Sequence, residues 1–250
     1  MGALIKKEIR AYFMSAMGYA LPTVFLFLAG LAFTFMVYQA TQEFMTGQQF
    51  NASDQIIRPL YGNFMRFLCL IFLPFITMGK FAEEKRTGTL ELLFTYPVTD
   101  WQLLFSKMVG CFCLLFMVLV PMLLYPILLH TMGGIQIEWS VLATGYLGTF
   151  LLCLAFISMG LWASSITDNQ VVAVAVTIGL ALVFWLIGVV QSFTTNYELG
   201  QVFTKLSLLE HFDSFYRGII DSTDVIYYVT FSAFFIFLTL KALESRKWRG

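Results

Sequence analysis

The chain has 250 residues, of which 59% are apolar and only 12% charged, and its mean hydropathy of +0.79 lies outside the range of soluble domains. Fifteen basic residues balance fifteen acidic ones, which leaves no basic excess of the kind that binds nucleic acid and no acidic tail. An aromatic share of 17% and only four cysteines exclude a disordered chain and a disulfide scaffold.

A helix needs roughly 20 apolar residues to cross the ~30 Å hydrocarbon layer. Stretches without Asp, Glu, Lys or Arg run over 11–42, 67–79, 108–137, 139–167, 169–197 and 225–240. The second and the last reach full length if one end tolerates a charge: Arg66 in the former, Asp221 and Asp224 in the latter. Spans are therefore expected near 17–39, 60–80, 108–129, 141–163, 171–191 and 222–241, making one all-α membrane domain over 1–250 with six transmembrane helices. A basic amphipathic stretch over 3–14 precedes them; by itself it reads as an anchor that keeps positive charge inside.

Six spans put both termini on one side. That face would carry eleven basic residues: Lys6, Lys7, Arg10, Lys80, Lys85, Arg86, Lys107, Lys241, Arg246, Lys247 and Arg249. The opposite face has only four, Arg58, Arg66, Lys205 and Arg217, so both termini are expected in the cytoplasm. The first apolar run is too long for a signal-peptide core, and the first helix is expected to stay in the protein. Long external segments are expected at 40–59 and 192–221 and a long cytoplasmic one at 81–107.

Several chemistries lack their residues. At Gly79-Lys80 a phosphate-binding loop would need glycine where Pro74 stands and a hydroxyl where Phe81 stands, so the chain is not expected to hydrolyse nucleotide. His130 and His211 have no Cys, Asp or Glu at zinc-ligand spacing. Cys69, Cys111, Cys113 and Cys153, with nearby methionines, are a soft-ligand inventory that would suit Cu(I). They serve equally as apolar filler, and Cys111 and Cys113 would point about 200° apart on a helix. Arg66, inside its span, either lines a substrate cavity or pairs with an acid, or else it snorkels to the headgroups.

The best punctuated segment is 81–108. Residues 83–94 read as a short helix with Leu90, Leu93 and Phe94 on one face, interrupted by Gly88, whose bare backbone would admit the close approach of another protein. Pro97 ends it. Thr99 and Gln102 form a capping box for the next helix, with Asp100 in its first turn, and Lys107 marks its entry into the membrane. The segment reads either as an amphipathic stretch on the lipid surface or as a docking element whose charge block, Glu83-Glu84-Lys85-Arg86, meets a polar pocket on a partner.

The run EEKRTGTLELLFTYPV resembles the cytoplasmic signature of the type-2 ABC (ATP-binding cassette) export permease family, matching it at Glu83, Glu84, Gly88, Thr89, Leu90, Glu91, Leu93, Pro97 and Val98. The resemblance implies that this is a coupling helix seated in a cleft of a separate ATPase subunit, with Glu83, Glu84, Gly88, Thr89, Leu90, Glu91 and Leu93 as the docking residues. It also implies that the basic stretch over 3–14 is an elbow helix. Ser164, Thr167, Asn169, Gln170 and Ala173 are similar to the same family, and Thr167 with Gln170 reads as another capping box.

The external stretch 206–228 begins with a third box, Ser207 and Glu210, and places Leu208, Phe212, Phe215, Tyr216 and Ile219 on one face of a helix expected over about 207–220. That face would lie at the outer interface beneath any periplasmic partner. The pattern from His211 through Phe212, Phe215, Arg217 and Gly218 to Asp221 resembles the gliding-motility-like permease subgroup.

The family resemblance implies an ATP-driven exporter in a bacterial inner membrane, with two ATPase subunits as partners and a second copy of this chain or a similar permease beside it. ATP and magnesium would be bound by the ATPase, with no cofactor in this chain. A periplasmic auxiliary protein and membrane lipid are further expected partners, and nucleic acid is not. A scaffold that moves a periplasmic partner without transport is the other reading of the same features.

Overall fold

The computed structural model describes residues 1–47, 51–90, 98–191 and 205–247. Their regular structure is all helical, with five helices long and apolar enough to span a membrane and a bent pair that makes a sixth if it is counted as one span. Helix α1 (Gly2–Phe13) turns a corner into α2 (Ala16–Met45). Ser15 caps α2 by accepting from the Met17 N–H at 3.2 Å, and Gly18 leaves room for the Tyr12 carbonyl at the corner.

The next span is built from π-helical turns over Ser53–Ile57 and Pro59–Phe64, then α3 (Met65–Thr77) and α4 (Gly79–Arg86), with a 43° bend along its course. This differs from the expected long connection over 40–59. Helix α2 passes the last charge-free residue, Gln42, because Glu43 finds a donor in the Gln55 side chain at 2.8 Å, and the chain is helical again from residue 53.

Helix α5 (Asp100–Met122) starts at the Thr99–Gln102 capping box, where both reciprocal hydrogen bonds form at 3.3 Å. It gives way at Leu123 to α6 (Leu124–Gly133), between Pro121 and Pro126. Pro126 has no N–H for the Met122 carbonyl four residues back, and the Tyr61 hydroxyl donates to that oxygen instead, at 2.6 Å. Helix α7 (Trp139–Ile166) is the most enclosed span, with both faces packed, and α8 (Gln170–Gln191) follows it. The cap of α8 is Asn169, whose side chain accepts from the Val171 N–H at 2.9 Å. Thr167, expected in that role, instead accepts from the Asn169 N–H at 3.1 Å, because the helix begins two residues later.

The stretch expected as a helix over 207–220 is shorter: α9 (Glu210–Tyr216) ends at Gly218, whose φ of +90° stops it. Ser207 supplies its half of the expected box, accepting from the Glu210 N–H at 3.4 Å. The apolar face of α9 turns into the bundle. Leu208, Phe212 and Phe215 are buried, and the bare Cα of Gly148 on α7 admits Phe215, so this face is not left at an outer surface beneath a partner; Ile219, beyond Gly218, points away. Helix α10 (Ser222–Lys247) completes the bundle along α7.

Helix α3 packs tightly against α7 at Gly160. A Cβ on Gly160 would fall on the Thr77 hydroxyl and 2.8 Å from Thr77 Cβ, whereas one on Gly179 of α8 meets nothing. Gly160→Ala is expected to lower the melting temperature of the detergent-solubilised protein. Gly179→Ala should leave it unchanged or raise it, since alanine gains about 1 kcal/mol of helix propensity over glycine. Equal effects would mean that the α3–α7 crossing is looser than described.

Candidate functional site: an ion cluster beneath the 86–89 turn

Helices α1, α4 and α5 meet at the end of the bundle that holds the N-terminus. Their charged side chains turn toward one another. Lys107 on α5 is 1% exposed and reaches Glu8 of α1 at 3.1 Å and Glu84 of α4 at 2.6 Å. Glu8 also takes Lys80 at 3.2 Å, and Glu84 takes Lys7 at 3.3 Å. Three cations thus share two carboxylates.

Aromatic rings close the sides. The Lys80 ammonium stands 3.3 Å from the centre of the Tyr12 ring, and Lys107 lies 5.0 Å from that of Phe81. The Tyr12 hydroxyl donates to the Ile76 carbonyl at 3.0 Å and lies 3.3 Å from Cys111 Sγ. Burial would push the Glu8 carboxyl up, but Lys107 and Lys80 together hold it below its ordinary value of 4.5.

Helix α4 is also clamped to α7. The Phe81 and Ala82 N–H groups both donate to the Ser164 hydroxyl at 3.0 Å, and that hydroxyl donates to the Met78 carbonyl at 2.7 Å, satisfying backbone groups freed where α3 passes into α4. Lys85 donates to the Ser165 carbonyl.

This arrangement sorts the expected docking residues. Glu84 faces inward and Leu90 is buried, so neither is displayed. Glu83, Arg86, Thr87, Gly88 and Thr89 form the exposed surface. The helix expected over 83–94 is broken: α4 stops at Arg86, the Thr87 and Gly88 N–H groups close onto Glu83 and Lys85, and Gly88 adopts a φ of +70° with open space around it. Thr89 hydrogen-bonds back to the Glu84 carbonyl at 3.3 Å. Glu91 and Leu93 lie outside the described residues. A cavity of about 140 Å³, bordered by Tyr12, Ser15, Lys80, Glu83 and Gln170, opens beside the α1–α2 corner.

Arg66 lies further back in the same bent span, in the first turn of α3. It pairs with Asp213 at 2.8 Å, and the rings of Phe212 and Tyr216 lie 5.4 and 5.8 Å from its guanidinium carbon. Nearby, His211 joins α9 to α10 through Asp224 at 2.6 Å and the Lys205 carbonyl at 3.1 Å. The thiols of Cys69 and Cys153 lie 3.6 Å apart inside the bundle, and among the described residues no three His, Cys, Asp or Glu side chains gather as a metal site.

The sequence pointed to Glu84 and Lys107 only singly, and Glu8 carried no assignment. The signal that was available is their rarity: a lone glutamate in a lysine-rich amphipathic helix needs a buried cation to face.

A multi-span bundle with a charged, clamped helix pair at one end is a membrane domain. Residues 2–243 match the family described as ABC-2 family transporter protein; the chain belongs to that family and is the membrane component of such a transporter. Members of this family pair with ABC ATPase subunits. No curated protein sequence matches the chain.

Lys107→Met should cost up to about 3–5 kcal/mol of stability, because it removes the buried cation shared by two carboxylates and leaves each with one lysine, Lys80 for Glu8 and Lys7 for Glu84. Lys7→Met, at a half-exposed pair, should cost about 0–1 kcal/mol. Denaturant titration in detergent would compare them, and similar values would refute a shared central cation. Because the folded Glu8 carboxyl lies below 4.5, its contribution is full above that pH and lost as pH falls through the depressed value. The acid limb of stability below pH 4.5 is therefore expected to be shallower in Glu8→Gln than in wild type.

Proposed function

We propose that the chain is the permease subunit of an ATP-driven exporter in a bacterial inner membrane, with the ion-cluster end in the cytoplasm. The observation that carries this reading is the position of the exposed 86–89 turn directly on the cluster, within a chain of the ABC-2 family. The excess of Lys and Arg at that end supports the orientation. A separate ATPase would bind ATP and magnesium, and this chain would hold no cofactor and hydrolyse nothing. Two such ATPases need two docking turns, so a second copy or a similar permease completes the assembly.

In this reading the ATPase contacts Glu83, Arg86, Thr87, Gly88 and Thr89, extended by Glu91 and Leu93. Closure of the ATPase pair pushes on the turn. Helix α4 cannot slide alone, because Glu84 holds the foot of α5 through Lys107 and Lys107 holds α1 through Glu8. The push thus arrives together at the elbow helix, the third span and, through Ser164, α7. The placement in the gliding-motility-like subgroup rests on the motif from His211 to Asp221. The force-transmitting scaffold is the weaker alternative, because α9 spends its apolar face inside the bundle.

Co-expression with the ATPase encoded nearest to it, followed by vanadate-sensitive ATP hydrolysis, tests the docking surface. Gly88→Trp adds bulk but also strains a positive-φ position, so Glu83→Arg, which changes only exposed charge, belongs beside it. Both are expected to lower complex yield and stimulated hydrolysis several-fold, with the permease still folded. Undiminished hydrolysis in both would place docking elsewhere.

A further inference from the structure

Between the Arg66 end of α3 and the facing part of α8 lies a cavity of about 290 Å³, bordered by Asn63, Arg66, Phe67, Leu70, Leu182 and Trp185. It is roughly nine times the ~30 Å³ that one water occupies in the liquid, enough for a length of acyl chain. Phe67 and Trp185 are exposed on the sides of spans, so the cavity opens toward lipid.

Its polar groups lie at one edge. Arg66 borders the cavity and Asp213 does not, so the wall presents a cation whose counter-ion lies outside it, and among the described residues no acidic side chain borders the space. The ion pair to Asp213 and the 3.2 Å hydrogen bond to Asn63 both use Arg66 Nη2. Nε has no acceptor among the described residues. The Phe212 and Tyr216 rings fix the guanidinium in place. A held, partly desolvated guanidinium suits a phosphate, and no acid among the described residues that border the cavity is placed to receive the ammonium of a zwitterionic headgroup.

We propose that this cavity binds an acidic phospholipid of the surrounding bilayer, its phosphate on Arg66 and Asn63 and one acyl chain along Phe67, Leu70, Leu182 and Trp185. The proposal requires only that the bundle span a bilayer. It can therefore fail without the export reading failing, and the reverse.

The test uses the full chain in phosphatidylcholine vesicles containing a minor fraction of dibrominated phosphatidylglycerol or, at equal mole fraction, dibrominated phosphatidylcholine. The Trp185 component of the fluorescence is taken by difference from Trp185→Phe. Brominated phosphatidylglycerol is expected to quench that component several-fold more strongly than brominated phosphatidylcholine. Arg66→Lys should retain the preference, and the charge-neutral pair Arg66→Gln/Asp213→Asn, which strands no carboxylate, should abolish it. Leu182→Phe, which fills the cavity without touching the ion pair, should also abolish it. Equal quenching by the two lipids in wild type, or a preference that survives either the double variant or Leu182→Phe, would overturn the proposal.

Discussion

Lys107 is the group on which the rest of one end of the bundle depends. A lysine that is almost wholly covered, close to where a span enters the membrane, survives only with carboxylates against it. Those carboxylates come from two other helices, one near the start of the chain and one at the foot of the second span. The desolvation cost is thus converted into a positional constraint: α1, α4 and α5 share a single arrangement in which all five charges have partners. With Lys7, Lys80 and Lys107 against Glu8 and Glu84, the cluster keeps one net positive charge. Lys7 is its half-exposed member, so the excess lies toward the surface rather than in the core.

The spans meet a second constraint by the same logic. At several points, among them the Met122 carbonyl freed by Pro126 and the Met78 junction, a tyrosine or a hydroxyl side chain reaches across from a neighbouring helix to a main-chain carbonyl. Tyr61 reaches Met122, Tyr12 reaches Ile76 and Tyr125 reaches Leu26, at 2.6, 3.0 and 3.3 Å, and Ser164 serves both sides of the Met78 junction. In hydrocarbon there is no water to do this. Each such bond also stitches two helices, so the breaks that could loosen the bundle become its cross-links.

Legibility in the sequence followed the range of the interaction. The spans were readable because hydrocarbon thickness acts on contiguous residues, and the Thr99–Gln102 box because its partners lie three residues apart. The Thr167 box failed within the same range, since Asn169 offered a competing cap two residues later. The continuation of α2 past Gln42 was hidden because it depends on Gln55 meeting Glu43. The ion cluster was hidden more deeply. Lys107 is 99 residues from Glu8, and Arg66 is far from Asp213, so the first pair read as a basic anchor and a membrane-entry lysine, the second as an arginine whose acid had no name and a residue of a surface helix.

The two ends are joined by one continuous element, and its joint decides how they communicate. The second span carries Arg66 near the start of α3 and Glu84 in α4, with the change of segment at Met78. If that joint were free, a push on the 86–89 turn would be absorbed as bending. It is not free. Thr77 is seated against Gly160, and Ser164 bonds to Met78 on one side and to Phe81 and Ala82 on the other, so α3 and α4 are both pinned to α7 across the junction. The same α7 holds Phe215 of α9 at Gly148, and α9 carries Asp213, the partner of Arg66. In the export reading proposed above, a displacement at the cluster would pass along α3 and α7 together and reach Arg66 from two sides, its own helix and its counter-ion's. The ion pair can ride with such a movement intact, while the distance from α3 to α8, which is not clamped at that end by any comparable bond among the described residues, is the one free to change. The apolar cavity lies across that gap.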